Sequence, residues 1–145
     1  FYAENALTPE LMHQRIAANF RHYAAEYGAG ILPSGEAVYR ARQADGHTFT
    51  WPDPEYDYQH AEAPALPRQD HSLAVGWQWA ITQTPDGIPA LRLDANHLNA
   101  RGCYLCSAAW FETLTDRSIH DSTFAPADIA PEDAAFLRTI AHDLT

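Results

Sequence analysis

The chain has 145 residues, nineteen acids, nine bases and a formal net charge of −10, and every base is arginine. A hydrophobic content of 46% with 12% aromatics excludes a disordered chain, and the length fits one domain, residues 1–145. The negative balance argues against nucleic acid or an anionic membrane as partner, since phosphate binding needs a positive surface, and the lack of lysine removes Schiff-base chemistry.

The predicted elements begin with a helix over about residues 8–28. Thr8 is a suitable N-cap, Pro9 suits the first helical position and Glu10 the first turn. Met12, Ile16, Phe20, Tyr23 and Tyr27 step by four, four, three and four, which is one helical stripe. Gly28 and Gly30 end the helix. Loop and sheet are expected over about 31–95. Pro33-Ser34-Gly35 reads as a turn into a short strand at 37–41, and Ala44-Asp45-Gly46 turns the chain into a segment at 47–51. A proline-rich stretch follows to about residue 70, long enough to suggest a functional or mobile loop.

Leu73, Val75, Trp77, Trp79 and Ile81 alternate strictly, which predicts a half-buried strand. Pro85-Asp86-Gly87 turns it back into a partner at 89–94. The C-terminal helical part, about 96–145, holds a short helix capped by Asn96 or Asn99 and a last helix opened by Pro131-Glu132-Asp133. Helices and antiparallel strands in separate runs give an α+β class: a long amphipathic helix packed on an antiparallel sheet, with one or two short C-terminal helices.

Several constellations carry candidate chemistry. Cys103 and Cys106 form C-x-x-C, which allows a disulfide, two unlinked thiols, half of a metal site or a redox pair. His60-Ala61-Glu62 with Cys103 and Cys106 matches the residue types of a zinc-dependent base deaminase, in which His and two thiolates hold zinc and Glu moves protons. Pro64 and Pro67 interrupt the helix that such a motif needs, and Gly102 stands where that signature has proline. His97, Cys103, Cys106 and His120 make a second set of zinc-type ligands. Ser72, Ser107 and Ser118 lack a nucleophile-elbow context, and no phosphate-binding glycine loop exists. Trp51, Tyr56 and Tyr58 are a candidate exposed contact loop, the basis of an alternative reading as a secreted ligand-binding module. Trp77 and Trp79 are expected in the core.

Residues 4–30, with Asn19-Phe20-Arg21-His22-Tyr23 and Tyr27, resemble the exposed second half of the N-terminal helix of type IV pilins. Ala90-Leu91-Arg92-Leu93-Asp94 followed by Leu98-Asn99-Ala100-Arg101-Gly102-Cys103 is similar to type IVb pilins, where a strand leads into a cysteine-bearing helix. The resemblance implies a non-enzymatic pilin or minor-pilin subunit of a surface filament or secretion pseudopilus. It implies no cofactor and other pilin subunits as partners, in a homo- or hetero-oligomer. It also implies a periplasmic or cell-surface location, and membrane attachment only through a hydrophobic segment upstream of Phe1. The family bridges its helix cysteine to one near the C-terminus, but from Ser107 onward this chain has none. Export would then favour a Cys103–Cys106 bridge. In this reading Met12, Ile16, Phe20, Tyr23 and Tyr27 hold the helix to the sheet, contribute several kcal/mol by burial and make Phe20→Ala strongly destabilising.

Overall fold

The computed structural model describes residues 8–47, 52–81 and 87–144. Helix α1 is Pro9–Tyr27 and follows the predicted signals. Thr8 Oγ1 accepts the Leu11 N–H at 3.2 Å, and Gly28, at φ 61°, returns its N–H to the Ala24 carbonyl. Helix α2, Ser34–Gln43, stands where a turn and a strand at 37–41 were expected. Apolar and polar residues do not alternate strictly there, and alanine favours helix over strand. In the helix, Ala37 and Ala41 fall four apart on one buried face, and Glu36 pairs with Arg40 across one turn at 2.9 Å.

Strands β1, Ala74–Ile81, and β2, Pro89–Leu98, form a two-stranded antiparallel sheet with Trp77 opposite Leu93 and Trp79 opposite Leu91. Part of the predicted turn, Pro85 and Asp86, lies outside the described residues, as does the segment 48–51. Helix α3, Ala100–Thr115, is capped by Asn99, whose Oδ1 accepts the Gly102 N–H at 3.0 Å. The same side chain donates to the Ser72 and Ala74 carbonyls at 2.8 and 3.0 Å, fastening the helix start to the entry of β1. Gly102 lies so close to the Leu73 carbonyl and Leu98 that a Cβ would collide with both. A 3-10 turn at Ile119–Asp121 leads to helix α4, Pro131–His142.

The class is α+β, with four helices and a two-stranded sheet among the described residues. The core is helical. Ala37 and Ala41 of α2, Leu105, Ala108 and Ala109 of α3, and Ala134, Leu137 and Ala141 of α4 meet as one buried cluster. Small alanine side chains let the three helices approach closely around Leu105 and Leu137, both fully buried. Arg101 clamps Asp133 with two hydrogen bonds of 2.5 and 2.6 Å, joining the N-terminal turns of α3 and α4.

The seating of α1 differs from expectation. Its packing partner is α2, through His13, which pairs with Glu36 at 2.9 Å and stacks on Tyr39 at 4.2 Å. No residue of α1 is buried. Ile16, Phe20, Tyr23 and Tyr27 are 46, 60, 54 and 72% exposed, so they do not form a helix–sheet core, and Met12 is half-buried. The sheet is too small to receive them: two strands whose other contacts are taken by the 52–73 loop and by α3. No helix among the described residues is long and apolar enough to cross a membrane.

Candidate functional site

The first candidate is the exposed row on α1. A helix of this length gains little from propensity alone and takes its stability from packing an apolar face. Here that face turns outward, with Tyr23 and Tyr27 stacked on each other at 6.3 Å and His22 edge-on to Tyr23 at 5.1 Å. The row is flanked by Arg15, Arg21 and Glu26, all exposed.

The two cysteines do not join. Both are free; Cys103 is exposed with its thiol toward the Leu98 carbonyl at 3.8 Å, whereas Cys106 is buried with its thiol toward the Ser34 carbonyl at 3.9 Å. Three residues apart on α3, they face different neighbours, β2 and α2. The bridge expected between Cys103 and Cys106 is therefore not formed in this structure. Burial pushes the Cys106 thiol above its ordinary pKa, which keeps it protonated and unreactive.

The aromatic loop folds back. Tyr58 lies 5.1 Å from Trp77 and 5.0 Å from Tyr56, while the Tyr56 hydroxyl and the Trp79 indole N–H both donate to the Ala65 carbonyl at 2.8 Å. Asp53 anchors this loop. Its buried carboxylate accepts the N–H groups of Arg68 at 2.8 Å and Glu55 at 3.0 Å, and those bonds hold its pKa below the ordinary carboxylate value. Tyr56 and Tyr58 are thus half-buried against the hairpin rather than presented outward; Trp51 lies outside the described residues. Trp77 and Trp79 are half-buried under this loop.

The metal-ligand sets do not assemble. His60 pairs with Asp57 at 2.8 Å in an exposed turn, with Glu62 exposed beyond it. His97 pairs with Asp94 at 2.9 Å, and His120 sits against His142 with ring centroids 4.5 Å apart. Among the described residues, no three of His, Cys, Asp and Glu gather to hold a metal ion.

Sequence reasoning missed one polar cluster. Glu112, buried on α3, accepts the Ile119 N–H at 2.5 Å and meets His142 Nδ1 of α4 at 3.0 Å. With Asp116, Arg117 and Ser118 they line a half-open recess of about 230 Å³. The carboxylate ties the segment after α3 to α4 and fixes the His142 ring. A signal was present: Leu105, Ala108, Ala109 and Glu112 share one helical stripe, and a charge at a core position requires partners. Searches of protein-family models, curated proteins and solved structures found no match to the chain.

Proposed function

We propose that the chain is a non-enzymatic assembly subunit of the pilin-like kind, in which the α2–α4 core and the hairpin form a head carried on α1. The exposed apolar row Ile16, Phe20, Tyr23 and Tyr27 carries this reading. A contiguous apolar row along one exposed helix face marks an interaction site, and a face of this kind fits another helix. The chain order also agrees with the resemblance, since β2 leads directly into the cysteine-bearing α3.

In this reading the partners are other pilin-type subunits, identical or related, and the location is a periplasmic or cell-surface filament. Membrane contact belongs to a hydrophobic segment outside these residues. No cofactor is invoked. The charge of −10 per subunit is a repulsion that apolar contact along α1 must outweigh.

The test is Phe20→Ser with Tyr27→Ser in the native protein. Both side chains are exposed, so the melting curve should shift little, by about 0.5 kcal/mol per site. High-order assemblies in the sheared cell-surface fraction should disappear. Undiminished assemblies in the doubly substituted protein would overturn the reading.

A further inference from the structure

Among the described residues, one edge of the two-stranded sheet is open in a defined way. Trp77 directs its backbone N–H to Gln69 Oε1 at 2.5 Å and its carbonyl accepts from Gln69 Nε2 at 3.0 Å. These groups therefore point away from β2. In an antiparallel pair, a residue whose backbone groups point outward faces one whose groups also point outward. Trp77 faces Leu93, so the Leu93 N–H and carbonyl lie on the outer edge of β2, and alternation places those of Leu91 there too. Among the described residues no third strand covers this edge, and Arg92, Leu93, Ala95, Asn96 and His97 are exposed along it. An open edge of this kind is a template for strand addition, and a lone hairpin is marginal in water.

We propose that the outer edge of β2 docks the same strand of a second copy, antiparallel, about a two-fold axis at Leu93. Charge complementarity selects this occupant. With Leu93 opposite Leu93 of the second copy, Arg92 stands opposite Asp94, and by symmetry Asp94 stands opposite Arg92. The Leu93 pair exchanges two backbone hydrogen bonds, and the flanking Arg–Asp pairs occupy the closer, non-hydrogen-bonded positions, where opposite charges attract most. Among the described residues Arg92 has no ion-pair partner within its own chain. Asp94 is held ionised by the N–H and side chain of His97 and the N–H of Asn96, and a carboxylate has room to accept an arginine beside them. The register is bounded at both ends: Pro89 offers no N–H, and the pairing between β1 and β2 becomes irregular beyond Asp94. This interface uses neither α1 nor its apolar row.

The experiment is sedimentation equilibrium of the whole chain carrying Phe20→Ser and Tyr27→Ser, the pair of substitutions that disables the α1 row. Across a dilution series this parent should move from the 16.2 kDa monomer to twice that mass. Adding Arg92→Asp or Asp94→Arg should weaken dimerisation about tenfold or more in each protein alone, because like charges then meet twice. An equimolar mixture of the two should dimerise again, since two acids in one copy face two arginines in the other. Exchange of the Leu93 amide should slow with concentration in the parent and not in Arg92→Asp, a readout that needs no change at Asp94. A parent that stays monomeric, variants that dimerise alone like the parent, a mixture of folded variants that stays monomeric, or Leu93 exchange independent of concentration would overturn the proposal.

Discussion

Glu112 shows how one residue fixes several others. Its carboxylate accepts the Ile119 N–H and holds the His142 ring, so the 3-10 turn and α4 both lean on a single buried side chain of α3. Glu112→Ala leaves a buried N–H without its acceptor and removes one partner of His142. Such losses cost about 1–3 kcal/mol per unsatisfied group, so chemical denaturation should show a stability loss of at least that size. An unchanged midpoint would mean that the cluster is not part of the folded framework. The cysteines are decided at the same scale. Their spacing alone left a bridge open, but Cys106 turns into the α2 contact and Cys103 turns out of it. Sequence spacing specifies a pair, whereas the direction of each side chain depends on what the helix packs against.

At the scale of elements, α1 and the hairpin were legible because their signals are local. Capping residues bound α1, and strict alternation over Leu73 to Ile81 marks β1. Helix α2 was not legible, because Ala37 and Ala41, four apart, share one face in a strand as well as in a helix. Only the tertiary contact of Ala37 and Ala41 with α3 and α4 decides between them. The 52–73 loop was legible as a loop, but not its docking, which depends on Asp53 and Gln69 reaching backbone groups far along the chain. Asp53 makes that docking pH-dependent. Its folded pKa is depressed, so it contributes stability at any pH above its ordinary value of about 3.9, and that contribution is lost as pH falls through the lower folded value. Acid titration should therefore release the loop from Trp77 and Trp79 below about pH 4. Tryptophan emission should report the change, and Asp53→Asn should abolish that step. Emission in Asp53→Asn that follows the same acid step as the parent would assign it to another group.

At the scale of the whole molecule, the structure sets the α2–α4 core beside α1, whose apolar row has no cover among the described residues. Periodicity identified that row correctly as one face. It could not say what the face meets, because burial against the chain itself and burial against a neighbour leave the same pattern in sequence. The two-stranded sheet is too small to cover Phe20, and the side chain stands 60% exposed. In the proposed reading, copies of the chain meet along this row. This contact is tested most directly by placing a photo-crosslinking residue at position 20 of the full-length protein in its native cells. Crosslinked products are expected at multiples of the chain mass, with the crosslink mapping to α1 of a neighbouring copy. Crosslinks that run only within the chain, from position 20 to its own hairpin, would contradict it.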